Sequence, residues 1–234
     1  MKNLLLAILV FTTSILNAQI ENRYEVTVRL KNGDMIEAMV QLDSNHPWSD
    51  QKSITVFDRS LVDQARIKRK QRTKYKASKV EYFEIEGRRW ESHKVMMPEG
   101  EYGGTLKGVP TATFLERIEA GDISVFKGYS YPPGMITGGE ITYEDIYNDI
   151  KNNPNYFVIK HANKKAKVKY ISNINIEKWI KDAPDVYEKF EAGEYGNFKR
   201  KKGKKLGNFI KGQIENENPD LIIRIIQEYN EEMQ

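Results

Sequence analysis

YEVTVRLKNGDMIEAMVQL, residues 24–42, decides how the chain begins to fold. Tyr24, Val26, Val28 and Leu30 share one parity, and Glu25, Thr27, Arg29 and Lys31 share the other. Strict alternation of this kind marks a strand with one buried face. Asn32-Gly33 follows, a pair that tolerates positive φ in a tight reversal. The return strand then places Ile36, Ala38, Val40 and Leu42 on one face. A β-hairpin is the expected opening.

Downstream, Ser53 to Phe57 reads as a short strand, while Leu61 to Ala65 fits either a strand or a helical turn. Val80 to Ile85 and Trp90 to Met97 read as a second hairpin rich in aromatic and β-branched residues. Residues 98–110 form a loop by their glycine and proline content. Thr113 to Ile118 and Ile123 to Tyr131 suit strands around the turn Ala120-Gly121-Asp122. Residues 132–140 form a loop, and Ile141 to Lys151 fits a short helix or an insert. Tyr156 to His161 and Val168 to Ile171 complete a last hairpin.

From Asn173 the apolar period lengthens. Ile176, Trp179 and Ile180 suit a short helix, and Asp182 is the expected cap of a second one, with Pro184 in its first turn. Leu206 to Ile214 carries another apolar stripe. In the final helix Asn218 caps, Pro219 opens, and Ile222, Ile225, Ile226, Tyr229 and Met233 form the stripe. Strands first and helices last mean an α+β fold, an antiparallel sheet or partly open barrel followed by three to four short helices. The expected division is a signal segment 1–18, a β-rich domain 19–172 and a helical region 173–234 packed on the sheet.

The first 18 residues have the three parts of a secretory leader. Lys2 supplies the positive start, Leu4 to Phe11 the apolar run, and Ala18 the small residue before Gln19. Thr12, Thr13 and Ser14 interrupt the run, leaving it short of the ~20 apolar residues a membrane span needs. The expected location is periplasmic, associated with the outer membrane, or secreted. The chain has no cysteine, which excludes disulfides, thiolate zinc sites and cysteine nucleophiles.

The order of short motifs resembles a family of uncharacterised exported proteins of Gram-negative bacteria. The similar pieces are LKNGDMIEAMV, KYKASKVEYFEIEGRRWESHKV, FLERIEAGDISVFKGYSY, DAPDVYEKFEAGEY and IIQEYNEE. The resemblance implies an envelope location and brings no catalytic or binding residue with it.

Charge is the main functional signal. The formal net charge is +4, yet residues 66–79 hold eight basic side chains and no acid, and residues 199–205 hold six more. Written as a strand, Lys68, Lys70, Arg72, Lys74 and Lys76 project from one face at a repeat of ~6.6–7 Å. Such a comb suits a polyanion, and its binding would weaken with salt. Lysines also protect sheet edges from aggregation, which is the competing reading of the same residues. The second cluster reads equally as a solvated linker.

Other chemistry finds little footing. His46, His93 and His161 lack the spacing of a metal site. No G-x-S-x-G elbow is present, and the glycines of 100–108 lack the Gly-Lys-Ser/Thr ending of a phosphate loop. Glu99, Glu101, Asp122 and Asp145 are the loop carboxylates a glycan hydrolase would draw on. Tyr129, Tyr131, Pro132 and Pro133 form a candidate sugar platform. No cofactor, catalytic residue or metal ligand is expected. The leading expectation is a non-enzymatic envelope module whose partner is another envelope protein or a surface polyanion, lipopolysaccharide or acidic glycan, rather than nucleic acid. A periplasmic hydrolase of glycan or peptide is the first alternative. A structural subunit that pairs through a sheet edge is the second.

Overall fold

The structure, a computed structural model, describes residues 22–97, 109–133, 142–161, 166–196 and 218–234. It is an open antiparallel sheet of ten strands followed by short C-terminal helices, an α+β fold. The leader, the 98–108 loop, the 206–214 stripe and the second basic cluster lie outside the described residues. The described residues form two compact units, one within 22–116 and 129–154, the other within 117–128 and 155–234.

In the first unit the strands are β1 (Arg23–Leu30), β2 (Met35–Gln41), β3 (Ser53–Phe57), β4 (Arg72–Lys76), β5 (Val80–Ile85) and β6 (Arg88–Val95), joined by the first part of β7 (Thr111–Glu119). The order runs β6-β5-β1-β2-β3-β4. The opening hairpin forms as its alternation requires, with Val26 opposite Ala38 and Val28 opposite Ile36. Gly33 takes φ 101°, which a side chain would resist. Val26, Val28, Val40, Ile54, Val56, Val80, Phe83 and Phe114 are all buried together on the inner face.

The chain connectivity forces this sheet to curl. Only residues 77–79 link β4 to β5, and four Cα steps reach about 14 Å at most. Four strand spacings in a flat sheet would need roughly 19 Å. The link closes because the sheet bends over its own apolar face. Ser92 Oγ on β6 accordingly donates to the Ala77 carbonyl at 2.5 Å. Helix α1 (Tyr143–Asn152) is capped by Thr142, whose hydroxyl accepts the Asp145 N–H, and it buries Ile146 and Ile150 beside Trp48.

The second unit contains the end of β7, β8 (Ile123–Gly128), β9 (Asn155–Lys160) and the two-residue β10 (Lys169–Tyr170). Three helices follow within the described residues: α2 (Ile176–Trp179), α3 (Pro184–Ala192) and α4 (Pro219–Glu232). Four of the five expected stripe members of α4, Ile222, Ile225, Ile226 and Tyr229, are buried against Ile123, Val125 and Val158, whereas Met233 follows the last turn of the helix and is exposed. Asn218 Oδ1 accepts the Asp220 N–H at 3.2 Å, as the capping signal requires.

The cap of α3 differs from expectation. Its first flanking residue is Ala183, which has no side-chain oxygen. The Glu232 carboxylate fills that place from α4, accepting the N–H groups of Asp185 at 3.2 Å and Val186 at 2.9 Å. Asp182 is engaged elsewhere, accepting Lys160 Nζ at 2.8 and 2.9 Å.

Glu228 ties α3 to α4. It accepts the Tyr195 hydroxyl at 2.6 Å, Lys189 Nζ at 3.0 Å and Arg224 Nε at 3.2 Å. The Tyr195 hydroxyl is the largest influence holding this carboxyl below its ordinary value; burial opposes it, and Lys189 and Arg224 reinforce it. A depressed carboxylate contributes stability that is full above the ordinary value near 4.5 and is lost as pH falls through the lower folded value. Glu228→Gln is therefore expected to lower stability at neutral pH and to flatten the acid limb. Urea midpoints of both proteins between neutral pH and about pH 3 measure this. Parallel acid limbs would contradict it.

Candidate anion-binding cleft

The basic stretch does not run as one strand. It begins in a strap over the outer face of the first unit's sheet, where Asp58 accepts the Ser60 N–H at 2.9 Å and hydroxyl at 2.5 Å. These bonds hold the Asp58 carboxyl below its ordinary value. Residues Arg59–Leu61 form a single 3-10 turn, and the Arg23 guanidinium bonds the Val62 carbonyl. Ile67, 3% exposed, then seats against Met39 and Phe57. A second 3-10 turn, Arg69–Gln71, follows; its start is closed by the Lys68 N–H donating to Gln71 Oε1 at 2.9 Å.

Only Arg72–Lys76 is strand, as β4. Arg72, Lys74 and Lys76 do share a face there, opposite Phe57, Thr55 and Ser53 of β3. Lys68 and Lys70 sit in the preceding turn, out of line with them. The cause is Ile67. An apolar residue among six nearby cations reaches the sheet only if the chain bends over it, and that bend ends the alternation.

The bend makes a cleft. Arg66, Lys68, Arg69 and Arg72 line an open concavity of about 640 Å³ around Ile67. None of these four, nor Lys70, Lys74 or Lys76, takes part in an ion pair among the described residues. Arg72 also lines a second concavity of about 370 Å³ with Gln41, Asp43, Asp50, Thr55 and Phe57. Positive and negative lining thus meet at one guanidinium. Alternation pointed to Lys70, Lys74 and Lys76 and passed over Arg66 and Arg69. The signal that finds the latter is the lone isoleucine in the basic run.

Asp43 and Asp50 differ in what they have left to offer. Asp43 Oδ1 accepts the N–H groups of Asn45 and His46, and Oδ2 meets His46 Nδ1 at 2.7 Å. Asp50 Oδ2 accepts the Asp43 N–H at 3.2 Å, and its Oδ1 takes no hydrogen bond among the described residues. Burial raises the Asp50 carboxyl above its ordinary value, against the Asp43 N–H bond and with the Asp43 charge.

Of the remaining candidates, Tyr129 and Tyr131 resolve into packing, while Glu99 and Glu101 lie outside the described residues. Tyr129 and Tyr131 lie against Trp48, Ile146 and Ile150. Gln51, buried, holds the Tyr129 backbone from both sides, accepting its N–H at 2.6 Å and donating to its carbonyl at 2.7 Å. Burial pushes the Tyr131 hydroxyl up to about 12, and Lys52 Nζ sits 4.1 Å from its ring centroid. Asp145 completes the cap of α1. Ser124 Oγ and His161 Nε2 lie 2.9 Å apart in the second unit, a pair no sequence spacing announces. Ser124 is only 4% exposed, so that hydroxyl is closed to a substrate. Among the described residues no three His, Asp or Glu side chains gather as metal ligands. No helix among them is long and apolar enough to cross a membrane.

No family model matches the chain, and neither a curated protein nor a solved structure matches it.

Proposed function

We propose that this chain is an exported envelope protein acting as a non-enzymatic binding module, which holds a surface polyanion, lipopolysaccharide or acidic glycan, in the cleft of Arg66, Lys68, Arg69 and Arg72. The observation that carries the reading is the convergence of these four cations on one concavity with no carboxylate paired to any of them among the described residues. Like charges gathered this way repel one another, and an anion placed among them relieves that repulsion. Three of the four are arginines, whose planar forks match phosphate and carboxylate oxygens two at a time. The leader read at residues 1–18 supports the location.

The test is retention on immobilised polyanion across a salt series. Four phosphate contacts on a flexible polymer give a log–log salt slope of roughly −3. Replacing Arg66, Lys68, Arg69 and Arg72 together with Gln is expected to abolish retention and flatten the slope. Lys74→Gln with Lys76→Gln is expected to weaken it only a few-fold, by about one remote charge each. Retention unchanged in the fourfold variant removes this reading. Loss only in the Lys74 and Lys76 variant would move the interaction to β4, the last strand in the sheet order, and favour pairing of a partner along that edge.

A further inference from the structure

Two concavities of opposite lining meet at Arg72, and a simple polyanion explains only one of them. We propose that the cleft's ligand is a phosphorylated amino sugar, its phosphate among Arg66, Lys68, Arg69 and Arg72, its ammonium and hydroxyl groups against Asp50 and Thr55 in the adjoining concavity. This rests on the anion-binding reading above and narrows it to a chemical class.

The adjoining concavity is rich in acceptors. It has the carboxylates of Asp43 and Asp50, with Gln41 and Thr55 beside them. An acceptor-rich wall selects a ligand that brings donors, as hydroxyls and ammonium do, and repels a second anion. A chain of evenly spaced phosphates crossing Arg72 would run into those carboxylates. A ring with phosphate at one end and an ammonium at the other meets charge of the right sign in both places. Both concavities are open, and their volumes, about 640 and 370 Å³, leave room for a sugar phosphate laid across Arg72.

Asp50 is the selecting group. Asp43 spends both oxygens on its own loop, whereas Asp50 keeps Oδ1 without a partner among the described residues. The burial that raises the Asp50 carboxyl means its charge has little water to lean on. An ammonium there restores a partner. Arg72 serves both halves, so it fixes the spacing between phosphate and ammonium ends.

The experiment measures binding of inorganic phosphate, glucose phosphate and glucosamine phosphate to the intact protein by calorimetry. Glucosamine phosphate is expected to bind about tenfold more tightly than glucose phosphate, the value of one charge-assisted hydrogen bond. Asp50→Asn keeps an acceptor for the Asp43 N–H. It is expected to erase that tenfold difference and leave inorganic phosphate within about twofold, which also shows that the variant is folded. Arg69→Gln is expected to weaken all three ligands.

Equal affinity for the two sugars, or a preference that survives Asp50→Asn, overturns the inference while phosphate binding lost in Arg69→Gln keeps the anion reading. Absence of phosphate binding in every arm overturns both. Vesicles bearing a phosphorylated glucosamine lipid identify the source. Vesicle binding that free glucosamine phosphate displaces and Asp50→Asn weakens supports the same site reading a lipid headgroup. Vesicle binding indifferent to both counts against it.

Discussion

Gly121→Ala is expected to destabilise the second unit by about 3 kcal/mol, although Gly121 is exposed and its φ lies outside the positive range. The added Cβ would stand 2.4 Å from Asn230 Cγ and 2.6 Å from its Oδ1. Asn230, 2% exposed, is a clamp. It accepts the Ile123 N–H at 3.0 Å, donates to the Ile123 carbonyl at 2.8 Å and reaches Glu119 Oε1 at 3.2 Å. One amide thereby fastens the last helix to the turn between β7 and β8. Moving it leaves two buried backbone groups without partners, each a loss of ~1–3 kcal/mol. A fall in melting temperature of roughly 6–12 °C should follow. A double-mutant cycle separates this clash from a general effect of alanine. In the Asn230→Ala background Gly121→Ala should lose most of its effect, because the obstructing amide is gone. Additive losses in the cycle would refute the clamp.

Ile67→Ala is the second large effect, and it removes no charge. Ile67 sits 3% exposed on Met39 and Phe57, flanked by Leu61 and Val62. Its truncation leaves a void worth ~2–4 kcal/mol if the strap stays in place. The strap's other anchors, Leu61, Val62 with its carbonyl bonded by Arg23, and Arg59 paired with Glu25, all lie at or before Val62, so release of 63–71 from the sheet is the cheaper response. Arg66, Lys68 and Arg69 would then converge only part of the time, and apparent affinity falls with the populated fraction. About tenfold weaker polyanion binding at fixed salt is expected, with faster amide exchange through 63–71. Ile67→Val should retain most of the affinity. Unchanged affinity in Ile67→Ala would mean that the cations act as a diffuse charged layer with no built cleft.

Much of the fold was legible because local rules and tertiary packing agreed. The parity of residues 24–42 named the opening hairpin and its buried face, and the stripe of Ile222, Ile225, Ile226 and Tyr229 named the last helix and its buried side. Element order alone led to the α+β class. The failures share a cause. Asp182 has the chemistry of a cap, but Lys160, distant in sequence, takes it, and Glu232 fills the vacant position from another helix. Pairings over such separations leave no trace in periodicity.

The cleft was half legible. Charge density singled out residues 66–79, and Arg72, Lys74 and Lys76 do share one face of β4. Treating the whole run as a strand discarded Ile67, the one residue whose burial free energy decides the path. Once Ile67 turns inward, its neighbours Arg66 and Lys68 must diverge outward, and Gln71 closes the turn that swings Arg69 toward Arg72. Asp43 and Asp50 could not be placed beside Arg72 from sequence, because only strand pairing brings the loop after β2 near the start of β4.

The central claim, that Arg66, Lys68, Arg69 and Arg72 form one anion site, is met most directly by following backbone amide resonances of the intact protein during a titration with inorganic phosphate. The account predicts saturable shifts concentrated at residues 66–72 and at Phe57 opposite Arg72, with Lys94 on β6 as an unmoved reference. Shifts spread evenly over every exposed lysine, or centred away from this strap, would contradict it.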